Sequence, residues 1–259
     1  MANNLSVATK HMPDDSCSAE TTFPNWMTTL PVNERFHTWQ GEGCHLGKSA
    51  YFIRLQGCPV KCPWCDSAGT WHPDHLPEEV EKAEPEALAE AAFASGCEIV
   101  VLTGGEPAVY DLHELTHALR IRSLPVHLET CGAFPIRGDF DWITISPKWD
   151  ALPLDENLAE AHELKVIVED ETSIEKWVAE LEGRHQIESV WLHPEWSLLN
   201  DPSREEQGAQ VLRSISNWVK EHGSPYRAGY QLHKVFQVDQ QDPASRPLVP
   251  LGGDPERGI

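Results

Sequence analysis

Residues 57–67 read GCPVKCPWCDS, three cysteines in eight positions with the spacing Cys58-x3-Cys62-x2-Cys65. They follow directly on AYFIRLQ (50–56), a short run of strand-like composition, so the trio sits on the loop that leaves a strand. Three thiolates in one short loop suit one face of an iron–sulfur cubane, where each holds a separate iron and one iron is left without a protein ligand. A structural zinc ion asks instead for a closed tetrahedron, and His72 or His45 would have to supply the fourth ligand.

Outward from that loop, apolar runs rich in β-branched residues alternate with longer segments of helical period. The runs are 50–56, EIVVLTG (98–104), PVHLET (125–130), DWITIS (141–146), ELKVIV (163–168), SVWLHP (189–194) and GYQLHKVF (229–236). Helices are expected near 84–95, 111–122, 172–182 and 204–222; in the last, Val211, Leu212, Ile215, Trp218 and Val219 share one apolar face and HGSP closes it. Such alternation implies a parallel sheet with right-handed crossovers. About six strands fall short of the eight of a closed barrel, so the expected fold is α/β, a partial (open) parallel β/α barrel. Residues 1–30 read as a flexible leader, 31–236 as the barrel domain and 237–259 as a Pro/Gly-rich tail.

Composition narrows the function classes. The 259 residues are 40% hydrophobic, enough for a substantial core, and 41 acidic against 20 basic residues give a formal charge of −21. A surface so acidic repels a phosphate backbone, which argues against nucleic acid as a direct substrate. No run of about 18 apolar residues occurs, and the N-terminus lacks a signal-peptide core, so no membrane role and a cytoplasmic setting are expected. The seven cysteines are odd in number and clustered, which fits reduced thiols and a metal site better than a disulfide framework.

Three further segments fall at the C-terminal ends of expected strands, the edge where parallel α/β folds place their sites. LTGGEP (102–107) joins strand to helix through two glycines that admit close backbone approach; ETCG (129–132) offers Glu129; SPK (146–148) offers Ser146 and Lys148. With Trp64 just before the last cysteine, the x3, x2 spacing closely resembles the signature of the radical S-adenosylmethionine (SAM) enzymes. The resemblance implies a 4Fe-4S cluster on Cys58, Cys62 and Cys65, whose open iron is chelated by SAM, and reductive cleavage to a 5′-deoxyadenosyl radical. It also implies that Gly104, Gly105, Glu106 and Pro107 approach the SAM amino group, and that Glu129, Ser146 and Lys148 serve its ribose and carboxylate.

The order of the segments ERFHTWQGEG (34–43), AYFIRLQGC, CDS, ETCG, SPK, ELKV and QLHK (231–234) resembles the 7-carboxy-7-deazaguanine synthase family. That resemblance implies ring contraction of 6-carboxy-5,6,7,8-tetrahydropterin to 7-carboxy-7-deazaguanine with loss of ammonia, SAM being regenerated. A magnesium ion beside the substrate carboxylate, a flavodoxin-like electron donor and a homodimer are further implications. The residue chemistry is compatible with a pterin. Gln40 and Glu42 could pair with its amide and amino groups, and Arg54, on the strand feeding the cysteine loop, presents a planar fork to a carboxylate. Arg54 pairing with a core carboxylate is the plainer reading. Trp39, Thr103 and His233 join the substrate site by the same resemblance, His233 on the expected last strand.

Two features depart from the family pattern. Ser67 stands where a magnesium-binding threonine is common, and residues 237–259 follow a strand after which some relatives end. Competing functions are another radical SAM activity, such as an activase that makes a glycyl radical on a partner protein, and a non-catalytic zinc-binding module.

Overall fold

The computed structural model describes residues 29–238 and 241–246. The expected leader lies almost wholly outside these residues, as does most of the tail. Among the described residues nine strands form one sheet: β1 (Leu30–Trp39), β2 (Ser49–Leu55), β3 (Glu81–Ala83), β4 (Ile99–Gly104), β5 (Val126–Thr130), β6 (Trp142–Ile145), β7 (Glu163–Val168), β8 (Val190–Pro194) and β9 (Tyr226–Ala228). Their order is β3-β1-β2-β4-β5-β6-β7-β8-β9, open at both ends. From β2 onward through β4 to β9 every neighbouring pair is parallel, while β1 runs antiparallel to β2 and β3. The helices are α1 (Pro85–Ser95), α2 (His113–Ile121), α3 (Asp155–Glu160), α4 (Ser173–Leu181), α5 (Trp196–Asn200), α6 (Glu205–His222) and α7 (Leu232–Phe236). The open α/β barrel expected from the alternation is therefore the fold.

Period-two alternation decides which side of each strand meets the helices. Ile53 and Leu55 of β2, Val100 and Leu102 of β4, Leu128 of β5 and Leu164 and Val166 of β7 point outward into one continuous core with Leu88, Leu115, Leu119, Trp177 and Ile215. Each such Leu or Ile taken fully out of water contributes about 1.5–3 kcal/mol. The alternate positions face the barrel interior. At its lower end they are apolar or aromatic: Ala50, Ile99 and Val101 pack together, and His45 and His127 meet with ring centroids 4.4 Å apart. Towards the C-terminal strand ends they become polar, and the register sets Arg54 beside Thr103 and Glu129 beside Thr144.

Two expectations are corrected. GYQLHKVF is not the last strand, because β9 ends at Ala228 and residues 232–236 form α7 instead. Leu232, Val235 and Phe236 fall at i, i+3 and i+4, a helical spacing. The turn is fixed where Leu232 N–H donates to Gly41 O at 3.2 Å and Lys234 N–H to Gln231 O at 3.2 Å. His233 accordingly sits on a helical turn folded across the mouth of the barrel rather than on a strand. The second correction concerns residues 30–39, which form the longest strand. A register irregularity between Val32 and Glu34 interrupts their alternation, and Glu34 faces the cavity, so the apolar/polar pattern of a strand is broken there.

Candidate active site

The cysteine loop is held by backbone rather than by thiols. Leaving β2, Gly57 N–H donates to Thr70 O at 2.8 Å, and the turn after β4 is stitched to the same segment by Gly105 N–H to Leu55 O at 3.0 Å and Glu106 N–H to Gly57 O at 2.9 Å. A side chain at Gly105 would place its Cβ 2.1 Å from Gly57 O, so only glycine permits this approach. Cys58, Cys62 and Cys65 line one cavity at the C-terminal strand ends. Burial pushes the thiols of Cys58 and Cys62 up, that of Cys62 to about 12, so a bound metal is what would hold them as thiolates.

The placement of the donor set fits a cubane better than zinc: Cys58, Cys62 and Cys65 line the cavity together, while neither His45 nor His72, the candidates for a fourth zinc ligand, is among the described residues that line it. A tetrahedral zinc site needs that fourth ligand; a cubane takes its three thiolates on separate irons.

Gly104, Gly105, Glu106, Glu129, Ser146 and Lys148 also line this cavity, whereas Pro107 is buried in the turn behind it. Glu106 is committed to the protein: its carboxylate accepts from Ala108 N at 3.0 Å, from Cys131 N at 2.8 Å and from Thr130 Oγ1, tying the GGEP turn to the end of β5. That leaves the backbone of Gly104 and Gly105 as the open ligand-facing surface of the turn. Lys148 Nζ donates to Ser146 Oγ at 2.6 Å and Ser146 O at 2.7 Å and lies 5.3 Å from the centre of the Trp64 ring, so SPK is drawn onto the cysteine loop.

On the opposite wall a buried charge network joins the remaining candidates. Glu42 Oε2 lies 2.7 Å from Lys165 Nζ, which is also 3.5 Å from Glu129 Oε2. Gln40 bridges the same two acids, its Nε2 donating to Glu129 Oε1 at 2.8 Å and its Oε1 accepting from Glu42 N at 3.1 Å. Burial opposes the charge on Glu42, but attraction to Lys165, His193 and His233 and the hydrogen bond from Lys165 together outweigh this and hold the carboxyl well below its usual range. Lys165 is likewise held above the usual lysine range: burial opposes its charge, and Glu129 and Glu42 outweigh it. Gln231 Nε2 donates to Glu42 Oε1 at 2.7 Å, and Lys234 Nζ meets Asp66 Oδ2 at 2.7 Å. His233 Nδ1 stands 3.8 Å from Glu42 Oε1.

Arg54 pairs with a core carboxylate, the plainer of its two readings. Its Nε donates to Glu34 Oε1 at 2.7 Å, with Glu34 almost fully buried, yet the guanidinium also lines the cavity and its terminal nitrogens bond no described residue. Trp39, Thr103 and Ser67 border the same space. Ser67 Oγ lies 3.7 Å from Cys65 Sγ.

Sequence reading missed Glu34, Asp66, Lys165, Gln231 and Lys234. One signal was available for Lys165, a charge inside the apolar run ELKVIV of a strand buried on both faces. Removing one member of a buried ion pair costs about 3–5 kcal/mol. Lys165→Met is therefore expected to lose about that much unfolding free energy, and Lys165→Arg to keep most of it. Urea denaturation midpoints of the two variants check this.

The remaining cysteines are unremarkable: Cys97 and Cys131 are buried, Cys44 is exposed, and Cys17 lies outside the described residues. No described helix is long and apolar enough to cross a membrane.

Comparison with known proteins agrees with this geometry. The family model of the Radical SAM superfamily matches residues 52–167. The 7-carboxy-7-deazaguanine synthase of Synechocystis sp. is 39% identical over 212 residues, covering 81% of this chain and 94% of that protein. The synthase of Flavobacterium psychrophilum is 37% identical over 213 residues, covering 81% and 92%. The crystal structure of QueE from Escherichia coli superposes with a TM-score of 0.62 at 28% identity, over 80% of this chain and 97% of that one.

Proposed function

This chain belongs to the 7-carboxy-7-deazaguanine synthase family of radical SAM enzymes, and from that premise we propose how its own residues serve the ring contraction. The reaction yields 7-carboxy-7-deazaguanine in deazapurine biosynthesis. The substrate is 6-carboxy-5,6,7,8-tetrahydropterin, which loses ammonia, so the enzyme is a carbon–nitrogen lyase. The observation that carries this reading is one cavity, at the C-terminal strand ends, lined together by the three cysteines, the GGEP turn, Glu42 and Arg54.

Bound cluster and SAM together supply a 5′-deoxyadenosyl radical. Cys58, Cys62 and Cys65 hold the cluster. The backbone of Gly104 and Gly105 receives the SAM amino group, Lys148 takes its carboxylate, and Glu129 and Ser146 accept from its ribose hydroxyls. Arg54 holds the substrate carboxylate in the fork left free by Glu34. Glu42, kept ionised by Lys165, accepts from the adjacent amide and amino N–H groups of the pterin, a donor pair that a carboxylate matches with both oxygens. Gln40 sets the direction of Glu42 through its backbone N–H and offers its second amide proton. Thr103, Trp39 and His233 close the space around the ring. Ser67 would offer its hydroxyl oxygen to a magnesium ion, a hard cation that would offset the charge of the substrate carboxylate.

A homodimer is supported by an open sheet whose edge strands β3 and β9 pair on one side only among the described residues, and by exposed Trp149 and Leu152. A flavodoxin-like one-electron donor and a cytoplasmic setting accord with the demand for reduced thiols.

The test is anaerobic turnover. Iron-reconstituted, reduced enzyme with SAM, magnesium and the carboxy-pterin is expected to give 7-carboxy-7-deazaguanine and ammonia, with less than one SAM consumed per product. Formation of 5′-deoxyadenosine without any ring-contracted product would refute the substrate and favour a radical SAM activity on another molecule.

A further inference from the structure

The segment after the last cysteine, SAGTW (67–71), is held with more care than a loop remote from the substrate requires. Residues Ala68–Thr70 form a 3-10 turn. Two polar side chains at the sheet edge grip its backbone: Asn33 Nδ2 donates to Gly69 O at 3.2 Å, and Gln56 Nε2 donates to Thr70 O at 2.7 Å. Asn33 is itself buried and locks Gln56 by donating to its Oε1 at 2.7 Å. Thr70 Oγ1 closes the turn on Ser67 O at 2.8 Å. A buried amide is retained only where its hydrogen bonds are made, and all of these bonds fix one object, the backbone that carries Trp71.

The indole of Trp71 is delivered to a sulfur. Its Nε1–H donates to Cys65 Sγ at 3.4 Å. Indole N–H is a donor only, and Trp64, the other indole of the loop, is instead stacked by Lys148. Hydrogen bonds to the cysteine sulfurs are one of the protein's means of setting the potential of an iron–sulfur cluster.

We propose that Trp71 is a redox-tuning residue: its indole N–H, positioned by Asn33 and Gln56, bonds the Cys65 thiolate and raises the reduction potential of the cluster. This rests on the cluster assignment made above. Reduction adds one electron to the cluster, from the 2+ to the 1+ state, and increases the negative charge shared by its sulfurs. A donor aimed at a thiolate is worth more as that charge grows, so it favours the reduced form. The acidity of the protein makes this useful, because a chain of net charge −21 otherwise opposes adding an electron.

The experiment titrates reconstituted wild type, Trp71→Phe and Trp64→Phe with dithionite through low-potential viologen mediators, reading the reduced cluster by electron paramagnetic resonance. Phenylalanine keeps the ring that shields the cluster and removes only the donor. Trp71→Phe is expected to retain its iron but to move to a more negative potential, so that at the poise where half of the wild type is reduced its reduced fraction falls severalfold. Trp64→Phe is expected to stay at the wild-type potential. A second measurement needs no variant that has to fold: with indole-15N tryptophan in the wild type, the reduced cluster should show a hyperfine coupling to indole nitrogen. Equal potentials for Trp71→Phe and wild type, or absence of that coupling, would overturn the proposal. Wild type that binds no four-iron cluster at all would instead overturn the cluster assignment.

Discussion

Alanine in place of Cys58, Cys62 or Cys65, one at a time, is expected to abolish formation of 5′-deoxyadenosine from SAM, with iron content falling in each variant. The reason lies in the count of ligands. A cubane held by three thiolates has no spare protein ligand, so losing one leaves two irons without sulfur from the chain and no single open corner where SAM can chelate. No described cluster of other metal-binding side chains stands by to replace the missing thiolate, and Cys131, though it lines the cavity, has its thiol pushed far up by burial and by Glu106. The variants should still fold, because the loop is fastened through Gly57 to Thr70 and through Gly105 and Glu106 to the β2 end, none of which involves a thiol. Circular dichroism and chromatographic quantitation of 5′-deoxyadenosine check both halves. Retained cleavage in any one of the three would remove that cysteine from the cluster.

The parts of this molecule that sequence made plain are those where local pattern and tertiary environment agree. The parallel strands β2 and β4–β8 are apolar runs because helices cover their outer faces, and α2, α4 and α6 each turn one apolar face to the core with a 3.6-residue period. Reading failed where a strand or turn serves the cavity. The inner face of β1 bears Glu34, a cavity-lining acid paired with Arg54, and a register irregularity breaks its alternation. In α7 the same five residues satisfy a strand-like composition and a helical spacing, and only β9 ending at Ala228 decides between them. Of the candidate site, the parts with a short-range signature, the cysteines and the GGEP turn, were legible, and they line one cavity. Asp66 and Lys234 were not, because each acquires its meaning from a partner 168 residues away, and no local pattern encodes a pairing of that range.

Arg54→Ala is expected to separate SAM chemistry from substrate turnover: iron content and SAM binding unchanged, turnover lowered by about 10²–10⁴-fold, the equivalent of two hydrogen bonds to a charged group at about 1.5–3 kcal/mol each. The loss is steep because two effects have the same sign. The substrate carboxylate forfeits its fork, and Glu34, nearly fully buried and still held at Oε2 by Ser245 Oγ and Arg246 N, is left as an uncompensated anion facing it. Lysine at position 54 should restore little, since a single ammonium cannot serve Glu34 and a substrate carboxylate with parallel bonds. Neutralising the stranded acid should restore more: Glu34→Gln combined with Arg54→Ala is expected to turn over faster than Arg54→Ala alone, a reversal that follows from repulsion and not from a lost contact. Steady-state rates of the two variants at saturating SAM decide the matter. Wild-type turnover by Arg54→Ala would exclude this guanidinium from the site, and a double variant no faster than the single one would exclude Glu34 as the source of the repulsion.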